Sequence, residues 1–133
     1  MSKLVEELKR DHVLMVDMLN KVKELGITKK EGQDILISAK ANLLAHLKKE
    51  DRDLYPVLKK AAETNSSMKQ TLEIFARDME EISKFALQFF DKYSHGGSGI
   101  EFARDFGKLF ATLTGRIRKE EDILYREYEK ISQ

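Results

Sequence analysis

One segment of this chain is written twice. His46-Leu47-Lys48-Lys49-Glu50-Asp51-Arg52-Asp53-Leu54-Tyr55-Pro56 returns seventy residues later as Arg116-Ile117-Arg118-Lys119-Glu120-Glu121-Asp122-Ile123-Leu124-Tyr125-Arg126. An upstream echo accompanies it, with Arg10-Asp11-His12 answered by Arg77-Asp78-Met79. Offsets of 67 and 70 residues, which differ by a small loop change, make this a supersecondary structure used twice. The chain therefore reads as two hairpins, residues 1–65 and 66–133, making one domain over 1–133. The copies differ in their chemistry. The first carries His12, His46 and Glu50; the second carries Met79, Arg116 and Glu120.

Both copies have helical periodicity. Val5, Leu8, His12, Met15, Leu19 and Val22 recur at alternating steps of three and four, predicting a helix over Lys3 to Leu25. Gly26 should cap it, with Ile27 closing the turn by a hydrophobic contact. Thr28-Lys29-Lys30-Glu31 has the form of a capping box opening a second helix. Its seam reads Leu36, Ala39, Leu43, His46, Glu50, Asp53/Leu54 and Val57, with a bend expected at Pro56. After the turn at Asn65-Ser66-Ser67, a cap at Ser67 should open a third helix with seam Leu72, Phe75, Met79, Ile82, Ala86, Phe89 and Tyr93. Ser98-Gly99-Ile100-Glu101 then caps a fourth, with seam Phe102, Phe106, Leu109, Leu113, Arg116, Glu120, Ile123 and Glu127. The fold class is all-α: an up-down-up-down antiparallel four-helix bundle built from two duplicated helical hairpins.

Composition narrows the functional classes. Lys and Arg number 24 against 23 Asp and Glu, and the charges are interspersed, which selects neither nucleic acid nor an anionic membrane. Without cysteine there is no disulfide, thiolate metal site or thiol chemistry. No apolar run approaches a membrane span and no signal region opens the chain, so the cytoplasm is the expected location. No nucleophile with a base partner and no phosphate loop is present; an enzymatic role is not indicated.

The polar seam residues should meet. A rise of about 1.5 Å per residue places His12, His46, Met79 and Arg116 at one level in antiparallel helices, with Glu50 and Glu120 one turn away. Buried unpaired, each imidazole, carboxylate or guanidinium would cost several kcal/mol, on the order of its desolvation. They must satisfy one another or share a metal ion. His46 and Glu50, at i and i+4, project from one face as chelation requires.

These residues resemble a known family. His12, the His46-xxx-Glu50 followed by Leu54-Tyr55-Pro56, and Glu120 followed by Leu124-Tyr125 are similar to the hemerythrin-like (HHE cation-binding) domain, over essentially the whole chain. The resemblance implies a bundle with a histidine on each helix and two glutamates bridging two irons. His12, His46, Glu50 and Glu120 match that pattern, while Met79 and Arg116 replace the histidines of one iron. The resemblance thus implies a metal-binding protein with one remaining ion, held by His12, His46, Glu50 and Glu120. Iron is expected, as one ion in preference to two, with zinc or manganese as alternatives. Implied roles are sensing, with dioxygen or nitric oxide as ligand, or metal handling; reversible dioxygen carriage needs both irons. The alternative is a metal-free bundle acting as a protein-interaction module, in which Arg116 forks to Glu50 and Glu120 and neutralises them.

Other residues take ordinary readings. Glu121 and His95 are expected to face solvent, Met79 to fill the core, and Tyr55 and Tyr125 to be core rings whose hydroxyls find partners. The phenylalanines, concentrated in the second hairpin, are expected in the core, with room for one or two exposed as an interface.

Overall fold

The computed structural model describes residues 2–132 and contains no strand among them. Helix α1 spans Lys3–Leu25, α2 Lys30–Lys49, α3 Tyr55–Ala62, α4 Ser66–Lys92, α5 Gly99–Lys119 and α6 Tyr125–Ser132. A π turn over Glu50–Leu54 joins α2 to α3, and another over Glu120–Leu124 joins α5 to α6. The six segments thus form four rods: α1, α2 with α3, α4, and α5 with α6. They make the expected up-down-up-down antiparallel bundle, in which α1 packs on α2 and α5, α4 packs on α2, α3 and α5, and α3 packs on α6. No described helix is long and apolar enough to cross a membrane.

The helix ends depart from the expected caps more than the helices do from their expected spans. Ser2 caps α1 by accepting from the Val5 amide. Gly26 closes it at φ 70°, its amide donating to the Val22 carbonyl, and Ile27 is fully buried as expected. The capping box at Thr28 does not form, because α2 starts behind Lys29 with no side-chain cap. Close packing of the turn takes its place: a side chain at Gly32 would overlap the Gly26 carbonyl. Asn65, not Ser67, caps α4 by accepting from the Met68 amide at 3.1 Å.

The seam of α1 is buried as predicted. In the long rods the seam holds as far as the site glutamates and then slips. Leu54 is buried as expected but Leu58 follows it in place of Val57, and Leu124 and Tyr125 are buried while Ile123 is 42% exposed. The π turns explain the slip. Each adds one residue to a helical turn, so every later side chain is displaced around the rod relative to the α pattern. Pro56 is not the cause of this irregularity, since the second copy has Arg126 there and the same π turn.

The core lies in two separate apolar clusters. One contains Met15, Leu19, Leu43, Phe89, Phe106 and Leu113 among others; the second contains Val5, Leu8, Leu54, Leu58, Phe75, Leu124 and Tyr125. His12, His46, Glu50, Arg116 and Glu120 form a buried polar layer between them.

Candidate metal centre

The four expected ligand residues are all buried and all converge. His12 comes from α1, His46 from α2, Glu50 from the first π turn and Glu120 from the second. His12 Nε2 lies 3.1 Å from His46 Nε2 and 3.1 Å from Glu120 Oε1. Glu50 Oε2 is 3.5 Å from His46 Nε2, and Glu120 Oε1 is 3.8 Å from it. His12, His46 and Glu120 each offer a ligand atom within a 4.8 Å span.

Both imidazoles are held from behind. His12 Nδ1 is 2.7 Å from Glu121 Oε2, and His46 Nδ1 is 3.1 Å from Asp11 Oδ2. A carboxylate only accepts, so each Nδ1 carries the proton and donates. This leaves each Nε2 facing the centre, the arrangement by which carboxylates orient metal-ligating histidines. Lys49 steadies Asp11 with a 2.9 Å bond. Glu121 therefore does not point to solvent as expected. Glu121 is one residue beyond the seam position Glu120, where the helical period alone places a side chain outward.

Arg116 lies on the far side of Glu120. It is 5% exposed; its Nε donates to Glu120 Oε2 at 3.1 Å, one terminal nitrogen donates to the Phe75 carbonyl, and the other to the Tyr55 hydroxyl. The guanidinium also stacks 4.6 Å from the Phe75 ring centre. The fork to both glutamates does not form, since Glu50 receives nothing from Arg116. Glu50 Oε2 instead accepts from the Tyr125 hydroxyl at 2.9 Å, and Glu50 Oε1 is buried without a hydrogen-bond partner. Met79 is half-buried and, with Arg116, borders the small cavity beside the histidines. His95 is exposed.

Protonation follows from this geometry. Burial alone would lower His46, but the carboxylates of Glu120 and Glu50, with Asp11, push it up to about 10. Burial would raise Glu120, yet His12, His46 and Arg116 outweigh that and hold it well below the usual carboxylate range. Glu50 is raised, chiefly by burial and by the charge of Glu120. Two Nε2 atoms at 3.1 Å repel unless a proton or another cation lies between them. A proton on His46 does this in the metal-free protein.

A metal ion fits the same place. Bonds of about 2.0–2.2 Å to nitrogen and oxygen put ligand atoms of one ion about 3 Å or a little more apart, against 3.1 to 3.8 Å here. Two imidazoles with carboxylates suit iron, zinc or manganese, and the unpartnered Glu50 Oε1 is an oxygen in need of a cation.

A four-helix bundle with carboxylates and histidines converging at mid-height belongs to the class that builds cation sites inside the bundle core. The sequence pattern of the hemerythrin HHE cation binding domain matches residues 3–128, and the chain belongs to that family. No curated protein and no solved structure matches the chain significantly.

Proposed function

We propose that this protein binds one metal ion, iron for preference, through His12, His46, Glu120 and Glu50, and acts in sensing or metal handling. The supporting observation is the division of labour at Glu120. Its Oε1 faces the two histidines, while its Oε2 is taken by Arg116. The guanidinium supplies a fixed positive charge on the side where Met79 and Arg116 stand in place of histidines, which leaves one ion's worth of neutral donors. Reversible dioxygen carriage, which the family performs with two irons, is therefore not assigned. A cavity of about 30 Å³ beside the histidines, bordered by Met15, Leu43, Leu47 and Leu113, suits a sensing role. That is room for one water or a diatomic molecule such as dioxygen or nitric oxide. When bound, the ion supplies Lewis acidity and, if it is iron, one-electron redox chemistry.

Elemental analysis of protein purified without chelator is the test. About one ion per chain is expected, lost in His46→Ala. Protein that is empty and also refuses iron, zinc and manganese sinks the reading.

The second reading is a metal-free bundle that works as a protein-interaction module. It is favoured by the buried Arg116–Glu120 pair, which already meets half of the carboxylate charge. Here Arg116→Ala strands Glu120 Oε2 in the core and should cost about 3–5 kcal/mol in chemical denaturation. A neutral effect accompanied by gain of a metal ion would discard it.

A further inference from the structure

The Tyr125 hydroxyl stands at the middle of the site. Its oxygen is 2.9 Å from Glu50 Oε2, 3.2 Å from His12 Nε2, 3.4 Å from His46 Nε2 and 3.4 Å from Glu120 Oε1. The ring is 1% exposed and stacks on the His12 ring at 5.5 Å between centres. A phenol has one proton to donate, and the shortest contact assigns it to Glu50. Three further ligand atoms, two ring nitrogens and a second carboxylate oxygen, lie within 3.4 Å of the same oxygen, and one hydroxyl proton cannot serve them all. An oxygen surrounded in this way is placed for a cation shared with its neighbours.

The backbone points the same way. In a regular α-helix, residues five apart are separated by about 140° around the axis, so Tyr125 could not share a face with Glu120. The π turn over Glu120–Leu124 closes with the Tyr125 amide donating to the Glu120 carbonyl, which brings the two side chains together. Such insertions cluster at functional sites. The duplicated tyrosine, Tyr55, has the same relation to Glu50, but its hydroxyl accepts from Arg116 instead. The two tyrosines have thus parted roles: Tyr125 faces two histidines and Tyr55 an arginine.

We propose that Tyr125 is itself a ligand of the bound ion, coordinating ferric iron as a phenolate. This rests on the single-ion reading above. On coordination the O–H bond breaks, the oxygen keeps the electron pair and bonds to iron, and the proton leaves to the buffer. Glu50 Oε2 is thereby freed of its hydrogen bond and can turn to the ion.

The test uses the full chain, stripped of metal and loaded with ferrous iron under anaerobic conditions. Ferricyanide then accepts one electron per iron and is removed by desalting. Iron per chain is counted, and the visible spectrum is recorded for a phenolate-to-iron charge-transfer band. Expected are about one iron per chain and a band that is present in the parent and in Tyr55→Phe, and lost in Tyr125→Phe. Resonance excitation within the band should enhance tyrosine ring vibrations. Iron bound at one per chain with no band in the parent overturns the phenolate assignment alone, as does a band that survives Tyr125→Phe. Failure to bind iron, zinc or manganese overturns the single-ion reading and this assignment with it. The parent's spectrum decides even if the variant folds poorly.

Discussion

His46 ties the chemistry of the site to its stability. Its folded-state value near 10 exceeds the ordinary 6.5, because Glu120 and Glu50 favour the protonated ring. A group raised on folding stabilises fully below its unfolded value and ceases to do so as pH rises through the folded one. Glu50, also raised, acts in the same sense from the ordinary carboxylate range upward. Glu120 is lowered and has the opposite sign: its contribution is present above 4.5 and fades as pH falls through its folded value. Metal-free protein should therefore be most stable at mildly acid pH and lose stability toward pH 10. Denaturation midpoints measured against pH in chelator check this. With metal present the alkaline limb should flatten, because ligation requires the same Nε2 without its proton. A metal-free profile that rises from pH 6 to 10 would contradict the account of His46.

The π turns show how two short segments can set a site. Each begins at a site glutamate, Glu50 or Glu120, and ends one residue before a tyrosine. With the extra residue, Leu58 reaches the core and the tyrosines reach the polar layer. Pro56 follows the first turn at the start of α3, where its missing amide disturbs a ladder that has already changed register. Pro56→Ala should thus change stability by no more than about 1 kcal/mol, far from the ~3 kcal/mol of a proline in a helix interior. It should leave metal binding intact. Denaturant melts of the two proteins settle the point, and a large stabilisation by alanine would show that Pro56 does strain the rod.

The whole bundle was legible in the sequence because its information is periodic. Alternating steps of three and four gave four rods, and the depths of His12, His46, Glu50, Arg116 and Glu120 followed from rise per residue alone. What was not legible depends on departures from that period. Tyr125 is brought into the site, and the seam beyond Glu120 displaced, by a π turn that no residue pattern announces, while Glu121 reaches His12 from beside the seam. The caps at Lys29 and Asn65 were misplaced because packing of Gly32 on Gly26, and the Asn65 side chain, outcompeted the hydroxyl residues nearby. The direction of Arg116 could not be read either, since a long side chain reaches solvent or interior from the same backbone position.

The polar layer also partitions the molecule. One apolar cluster lies toward the Gly26 and Gly96 turns, the other toward Asn65 and the chain ends, and the charged layer interrupts the greasy interior between them. Without metal, the two ends should open as separate cooperative blocks in amide hydrogen exchange. An ion drawing ligands from three rods at their junction would make them open together, raising protection of the slower-protected and faster-protected ends toward a common value. Loading would then be felt far from the site, as stiffness: the end holding Val5, Leu58 and Tyr125 would yield to a protease in the empty protein and resist it in the filled one.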